Sequence, residues 1–322
     1  MLAVWAVIVN LEAGTGSGGE AEGDRLRNIE NIRGSEYNDT LTGNNGNNRL
    51  RGDGGNDTLQ GGEGDDTLQG GEGNDTLDGG AGVDEASYAS SDAGVTVDLS
   101  LRDTKQVSGG HAAGDTLTSI ENIRGSKYND TLTGDDSDNR LYGGGGIDVL
   151  RGGKGDDTLE GGADADVLDG GGGVDEASYA DSDVGVMVNL TTGQGSGGHA
   201  TGDTLRNIEN IRGSEYNDTL TGDHSSNRLD GGAGDDTLAG GVGADEIDGG
   251  AGVDEASYVS SNVGVTVNLS LRDTKQVSYG HAAGDTLTGI ENIRGSAHDD
   301  LLKGDDVKNV IKGGAGNDRI YG

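Results

Sequence analysis

The sequence predicts an all-β protein, a right-handed parallel β-roll in which short strands stack coil upon coil. Two observations predict this fold. First, the stretch from Gly34 to Ser87 repeats every nine residues: a glycine opens each nonamer, Asp or Asn holds the sixth place, and Leu holds the eighth until Ala86. Second, glycine supplies 66 of the 322 residues, proline none, and only 30% of residues are hydrophobic. The chain therefore cannot build a conventional globular core.

Each nonamer divides into a six-residue turn and a three-residue strand. In the turn Gly61–Asp66, glycines occupy places one, two and four. Because glycine reaches positive φ without steric cost, these places suit a turn that alternates handedness. The segment Thr67–Gln69 is a minimal strand whose middle side chain, Leu68, points inward. Two nonamers make one flattened coil of about eighteen residues, and stacked coils pair as parallel strands. We therefore expect each inward Leu to pack on the Leu one coil away.

The sixth-place carboxylates stack as well, because Asp57 and Asp75 lie in adjacent coils on one edge of the roll. Carboxylates at a strand spacing of about 4.8 Å repel each other unless a cation lies between them. Calcium accepts about six to eight oxygens in flexible geometry, including backbone carbonyls, whereas magnesium demands a strict octahedron. The pattern therefore predicts calcium sites between the turns.

The nonamer G-G-x-G-x-D-x-U-x resembles the repeat of the RTX (haemolysin-type) calcium-binding proteins, which form a β-roll or β-helix solenoid. The resemblance implies that each ion takes the carbonyls of places two and four and the Asp of one loop. It takes the carbonyls of places one and three and the Asp of the loop one coil later. In the first array these residues are Asp53, Gly55 and Asp57 facing Gly70, Glu72 and Asp75, and Gly62, Gly64 and Asp66 facing Gly79, Ala81 and Asp84, together with Asp39.

The same assignment applies to the later arrays. In the second array the residues are Gly144, Gly146 and Asp148 facing Gly161, Ala163 and Asp166, and Gly153, Gly155 and Asp157 facing Gly170, Gly172 and Asp175, together with Asp130. In the third they are Asp218, Gly232, Gly234, Asp236, Asp245, Gly249, Ala251 and Asp254, and in the fourth Asp300, Gly313, Ala315 and Asp318. The second nonamer of each array has a neutral amide at place six, which predicts either a weaker site or only an entrance turn: Asn48, Asn139, Asn227 and Asn309.

The formal net charge of −36 predicts that the calcium-free chain is expanded and mobile. Pairing loops one coil apart predicts about twelve calcium ions, which would cancel about 24 negative charges. The sequence has no basic patch that could meet the phosphates of a nucleic acid. It has no cysteine, so a disulfide framework is excluded. No apolar stretch is long enough to span a membrane.

Arrays of nonamers alternate with insert segments. The arrays are 34–87, 125–178, 213–257 and 295–321, and the inserts are 88–124, 179–212 and 258–294. Because residues 6–33 match 185–212, the chain begins inside a partial insert. We therefore divide it into four segments, and we expect it to be a piece of a longer protein. The segments are 1–87, 88–178, 179–257 and 258–322.

The inserts are regular and partly apolar. They have 37, 34 and 37 residues, close to two coils, and in the first of them Val95, Val97 and Leu99 alternate with polar residues. We expect the inserts to continue the solenoid with wider loops. The alternative is a string of beads joined by flexible linkers.

The RTX resemblance implies a calcium-binding structural region of a secreted bacterial protein, which the type I secretion machinery exports and which folds in extracellular calcium. Two alternatives are the rod-like stalk of a surface adhesin and a polysaccharide-binding accessory module of an extracellular enzyme. Side chains that flank the strands form no regular aromatic or basic ladder, which disfavours a repeated sugar-binding face. No Ser/His/Asp or Cys/His group stands apart from the repeat, so we do not predict an enzyme.

Overall fold

The computed structural model describes residues 5–102, 104–107, 109–271 and 274–322. Over these residues the chain is all β, apart from four single-turn 3-10 helices at Gly19–Ala21, Gly110–Ala112, Gly198–Ala200 and Gly280–Ala282. The chain divides into two compact units, Met1–Gly161 and Gly162–Gly322. No helix in the described part is long and apolar enough to cross a membrane.

Most strands have three residues, because places seven to nine of a nonamer supply three extended positions between turns. The longer ones continue into the first three places of the next nonamer. In chain order the strands are β1 (Ile8–Asn10), β2 (Thr15–Ser17), β3 (Asn31–Arg33), β4 (Thr40–Thr42), β5 (Arg49–Gly54), β6 (Thr58–Glu63), β7 (Thr67–Glu72), β8 (Thr76–Ala81), β9 (Glu85–Ser87), β10 (Thr96–Asp98), β11 (Thr116–Thr118), β12 (Asn122–Arg124), β13 (Thr131–Thr133), β14 (Arg140–Gly145), β15 (Val149–Lys154), β16 (Thr158–Ala163), β17 (Val167–Gly172), β18 (Glu176–Ser178), β19 (Met187–Asn189), β20 (Gln194–Ser196), β21 (Thr204–Arg206), β22 (Asn210–Arg212), β23 (Thr219–Thr221), β24 (Arg228–Asp230), β25 (Thr237–Ala239), β26 (Glu246–Asp248), β27 (Glu255–Ser257), β28 (Thr266–Asn268), β29 (Thr286–Thr288), β30 (Asn292–Arg294), β31 (Leu301–Lys303), β32 (Ile311–Lys312) and β33 (Arg319–Tyr321).

In the first unit the strands form three parallel stacks. Their orders are β1-β4-β6-β8-β11, β3-β5-β7-β9-β12-β14 and β10-β13-β15. Neighbouring strands are in register, so that Leu41 pairs with Leu59 and Leu59 with Leu77. These three side chains are fully buried, and burying a Leu stabilises a fold by about 1.5–3 kcal/mol. The predicted parallel β-roll, with each inward Leu on the Leu one coil away, is confirmed.

The second unit repeats this architecture. Its parallel stacks run β18-β22-β24-β26-β29, β19-β23-β25-β27-β30-β32 and β28-β31-β33. Leu220 pairs with Leu238, and Leu238 with Ala256, along one stack. Most strands of these parallel stacks therefore contribute a single aliphatic side chain to the core of their unit.

The inserts join the coils of each unit. In the first insert, Ile123 of β12 pairs with Ala86 on one side and with Leu141 on the other. In the third, Ile293 of β30 pairs with Ala256 and with Ile311. Within each unit, therefore, the inserts form part of the roll and do not act as flexible linkers.

The second insert contains a returning strand that the sequence did not predict. The order of its stack is β17-β21-β20-β19-β23, and β20 is antiparallel to both of its neighbours. The chain runs ahead to β19, returns through β20, and then places β21 beside β17. In the partial insert at the start of the chain, β2 is likewise antiparallel to β1. The expected wider loop is thus a short hairpin, whose central Gly195 supplies no apolar side chain to mark it in the sequence.

Candidate metal centre

The sixth-place Asp side chains form a buried ladder. One carboxylate oxygen, Oδ1, accepts a main-chain N–H from the coil before: the Asp57 N–H donates to Asp75 at 2.8 Å, and the Asp66 N–H donates to Asp84 at 2.8 Å. The same contact joins the Asp236 N–H to Asp254 at 2.8 Å. These residues are at most 2% exposed. Each carboxylate is therefore held in place by the backbone of its neighbouring coil.

The other carboxylate oxygen, Oδ2, has no hydrogen-bond donor at several rungs of this ladder. An unpaired buried polar atom destabilises a fold by about 1–3 kcal/mol, and more when it is charged. A proton or a cation would remove that penalty. Among the described residues, the buried Oδ2 atoms without a donor include those of Asp57, Asp66, Asp75, Asp84, Asp236, Asp245 and Asp254.

These oxygens lie beside the first glycine of their own nonamer. A Cβ added to Gly61 would lie against both Asp66 Oδ2 and the carbonyl oxygen of Gly79, one coil later. At Gly231 the added atom would meet Asp236 Oδ2 and the Gly249 carbonyl. Because glycine at place one has no Cβ, a carboxylate and a carbonyl of successive coils can converge beside it.

Carbonyls of places two and four point from one coil towards the next. A Cβ on Gly80 would meet the Gly62 carbonyl, and one on Gly82 would meet the Gly64 carbonyl. Gly62 and Gly64 have φ of 120° and 98°, a conformation that other residues rarely adopt. The third-place carbonyl of Ala81 accepts the Gly64 N–H at 2.9 Å and keeps a second lone pair. The predicted loop carbonyls of one coil thus lie against the turn of the next coil.

The same places recur in the other arrays. Sixth-place Asp residues of the second array are fully or almost fully buried, and only the last coil of the chain exposes its Asp partly. The buried ones are Asp148, Asp157, Asp166 and Asp175, and the partly exposed one is Asp318. In the described part of the chain no three His, Cys, Asp or Glu side chains gather at one point. The oxygens that converge are a carboxylate and main-chain carbonyls, a donor set that suits a hard cation such as Ca²⁺.

The first nonamer of each array differs, because the serine at place two donates hydrogen bonds to the Asp at place six. Asp130 Oδ2 accepts the Ser126 N–H at 2.5 Å, and Oδ1 accepts the Ser126 hydroxyl at 2.9 Å and the Val95 N–H at 2.7 Å. The other entrance carboxylates repeat this arrangement with the serine N–H and hydroxyl. They are Asp39 with Ser35, Asp218 with Ser214, and Asp300 with Ser296. At these four rungs protein donors already reach both carboxylate oxygens.

The entrance asparagines also use their amides within the protein. Asn139 Oδ1 accepts the Asp135 N–H at 2.7 Å, and its Nδ2 donates to the Glu121 carbonyl at 2.8 Å. Asn227 makes the same pair of contacts with Asp223 and Glu209. Asn309 repeats them with Asp305 and Glu291, and Asn48 Oδ1 accepts the Asn44 N–H. At Asn139, Asn227 and Asn309 the amide thus links the insert to its array, which favours the entrance-turn interpretation.

Burial raises the pKa of the ladder carboxyls, although the main-chain N–H that each accepts lowers it again. The pKa is about 7 for Asp57 and Asp236 and about 6 for Asp75, Asp84 and Asp254, against an ordinary 3.8. These carboxyls therefore bind protons more tightly in the folded chain than in the unfolded one. Each contributes stability that is present below pH 3.8 and is lost as the pH rises through 6 to 7.

We therefore expect acid to stabilise the calcium-free fold. In chelator, lowering the pH from 8 to 5 should increase the β-structure signal in far-ultraviolet circular dichroism, because the buried carboxyls then become neutral. Saturating calcium should abolish most of this pH dependence, since a bound cation replaces the protons. A calcium-free chain that is more ordered at pH 8 than at pH 5 would contradict this expectation.

The inserts supply ladder residues that sequence reasoning missed. The Asp75 N–H donates to Asp115 Oδ1 at 2.8 Å, while Asp115 Oδ2 accepts the hydroxyl of buried Tyr88 at 3.2 Å. The second and third inserts pair Asp203 with Tyr179 at 3.0 Å and Asp285 with Tyr258 at 3.1 Å. Each insert thus supplies an Asp that continues the ladder of sixth-place Asp side chains, and a buried Tyr hydroxyl donates to that Asp. A signal was present, because Asp115-Thr116-Leu117 repeats the D-T-L of the nonamers.

Comparison with known families agrees with this geometry. The profile of the RTX calcium-binding nonapeptide repeat, in four copies, matches residues 28–59, 51–86, 117–150, 142–177, 206–238, 225–256 and 294–322. These segments cover more than half of the chain, so the chain belongs to the RTX calcium-binding nonapeptide repeat family. A search of curated proteins found no match. The chain is thus a calcium-binding repeat region with a parallel β-roll fold.

Proposed function

We propose that Ca²⁺ occupies the gaps between successive coils, and that this chain is the structural calcium-binding region of a secreted bacterial protein. One observation carries the proposal: Asp66 Oδ2 is buried without a donor among the described residues, and it converges with the Gly79 carbonyl oxygen on the position that a Cβ of Gly61 would take. The Gly62 and Gly64 carbonyls, from the same loop as Asp66, and the Ala81 carbonyl, from the same loop as Gly79, complete an all-oxygen ligand set. Repetition of this gap would let each interior loop serve two ions.

Pairing of nonamers one coil apart gives about twelve ions. Sites built on the entrance residues should be the weakest, because protein donors already reach the oxygens of Asp39, Asp130, Asp218 and Asp300. Sites between interior loops, such as that of Asp57 and Asp75, should be the strongest. The ion count should therefore approach twelve only at high calcium concentration.

Calcium dependence also supports an extracellular role. A ligand that binds only the folded state contributes its binding free energy to folding. The chain would remain unfolded in a cytosol poor in calcium, pass through the type I secretion machinery, and fold outside the cell, where calcium is abundant. In this role the region acts structurally and catalyses no reaction.

Two matched substitutions test the site. Asp66→Asn and Asp65→Asn each remove one negative charge and each keep the Oδ1 acceptor, which receives the Asn48 N–H at 2.7 Å or the Val83 N–H at 3.0 Å. Asp66 is buried, whereas Asp65 is exposed. We expect Asp66→Asn to lower the number of bound ions and to destabilise the fold by about 2.7 kcal/mol at a calcium concentration about 100-fold above the site's Kd.

Asp65→Asn should change the free energy of unfolding by no more than about 0.5 kcal/mol. Native mass spectrometry counts the ions, and urea unfolding at a fixed calcium concentration gives the stability. Equal effects of the two substitutions would mean that the carboxylates act only through net charge, and the site assignment would then be wrong.

A further inference from the structure

The junctions between arrays and inserts hold an arrangement that matches the proposed calcium site without the nonapeptide motif. At the end of the first array, Asp84 is fully buried and its Oδ2 has no donor among the described residues. A Cβ on Gly79 would lie against both Asp84 Oδ2 and the carbonyl oxygen of Ser119. Ser119 thus takes the position that the first glycine of the next nonamer has inside an array.

Glu121 takes the position of the next sixth-place Asp. Inside the array the Asp66 N–H donates to Asp84 Oδ1 at 2.8 Å, and at the junction the Asp84 N–H donates to Glu121 Oε2 at 2.9 Å. The turn Ser119–Glu121 reaches the next strand in three residues, where a nonamer uses six. The longer side chain of glutamate compensates for the shorter turn, because it brings a carboxylate to the same N–H.

The turn also has a backbone conformation that presents its carbonyl to the gap. Ser119 has φ of 50°, a left-handed conformation that is costly for a residue other than glycine. Beside it lies a cleft of about 270 Å³, lined by Gly80, Ser119 and Glu121 and by the ion pair of Arg102 and Asp135 among others. Calcium commonly keeps water among its ligands, and this cleft has room for several water molecules.

The arrangement recurs in the second unit. At the third insert, Asp254 is fully buried and its Oδ2 finds no donor in the described part of the chain. A Cβ on Gly249 would meet both that atom and the Gly289 carbonyl. The Asp254 N–H donates to Glu291 at 2.9 Å.

At the second insert, the Asn207 carbonyl faces Gly170, and the Asp175 N–H donates to Glu209 at 3.0 Å. Asn207 has φ of 49° and Gly289 of 59°.

We propose that each insert binds one additional calcium ion, between the last Asp of the preceding array and the short turn that ends in Glu121, Glu209 or Glu291. This inference rests on the proposed calcium binding of the arrays. It makes the inserts part of the calcium-dependent fold, because a junction ion joins the final coil of an array to the first stacked turn of the insert. The three junction sites add to those formed by the nonamers alone.

The test is a triple variant, Glu121→Gln, Glu209→Gln and Glu291→Gln. Glutamine keeps an oxygen acceptor for the main-chain N–H but removes the charge of the ligand. Native mass spectrometry in saturating calcium should count three fewer ions than in the unaltered chain. The control replaces three exposed glutamates, Glu12, Glu63 and Glu215, with glutamine and should lose none.

Circular dichroism in saturating calcium verifies that each variant is folded. If the triple variant does not fold, the single variants Glu121→Gln and Glu291→Gln are counted instead, and each should lose one ion. An unchanged ion count in folded variants would overturn the junction sites and leave the array sites intact. If the unaltered chain itself binds no calcium, the proposed function fails instead, so the two failures are distinguishable.

Discussion

Chelation of calcium is expected to convert the folded chain into a disordered one, and millimolar calcium should restore the β-structure. The core supplies little to oppose unfolding, because most strands bury only a single aliphatic side chain, such as Leu59 or Leu238. Repulsion within a chain of formal net charge −36 further opposes folding. Buried carboxylates with unpaired oxygens add a further penalty at neutral pH. Bound cations would remove both penalties at once.

The change should be steeply cooperative in calcium. In the proposed arrangement each ion joins two coils and each interior loop serves two ions, so the stability of a coil depends on its neighbours. Far-ultraviolet circular dichroism follows the transition during a calcium titration. Magnesium at the same concentration should not fold the chain, because it demands octahedral geometry and dehydrates reluctantly.

Sodium chloride of equal ionic strength controls for general screening of the charge. A folded spectrum in chelator at neutral pH would contradict the prediction. Folding by sodium chloride alone would show that screening, and not site binding, stabilises the roll.

A single methyl group at place one of an interior nonamer is expected to remove a calcium site. In Gly61→Ala the new Cβ would enter the gap between Asp66 Oδ2 and the Gly79 carbonyl. Overpacking alone destabilises a fold by about 1–3 kcal/mol, and the lost ion adds to that. We expect a total loss of about 3 kcal/mol or more at fixed calcium, together with a lower ion count. Gly61 does not have a positive φ, so backbone strain does not contribute.

Gly145→Ala is the matched control, because the nearest atom to its added Cβ is the Lys127 carbonyl oxygen at 3.7 Å, an ordinary contact. Gly145 likewise has no positive φ. This substitution should leave the ion count unchanged and could stabilise the fold by about 0.4–1 kcal/mol through the unfolded state. Urea unfolding and ion counting compare the two variants. If Gly61→Ala keeps all its ions, the gap beside Gly61 is not a calcium site.

Much of the fold could be predicted from the sequence, because the local preferences that produce it act within nine residues. Turn glycines, a three-residue strand and one inward Leu are local features, and their repetition dictates parallel stacking in register. The burial of Asp57 and Asp66 and the approach of loop oxygens from neighbouring coils follow from that register. The sequence alone therefore determined the β-roll and the residues that face the gaps between coils.

Only the tertiary structure decided which of these oxygens have protein donors. Ser126 donates hydrogen bonds to both carboxylate oxygens of Asp130, and the side-chain amide of Asn139 donates to the Glu121 carbonyl. A motif that records only the residue type at place six cannot express this difference.

The inserts were decided by the tertiary structure as well. The contact between the Asp75 N–H and Asp115 spans 40 residues, and that between Asp84 and Glu121 spans 37. Nine-residue periodicity carries no information at such distances. The returning strand β20 likewise depends on both of its neighbours in the sheet. The repeat itself was thus determined by local chemistry. The insert residues that end each ladder of Asp side chains were decided by contacts that form only when the coils are stacked.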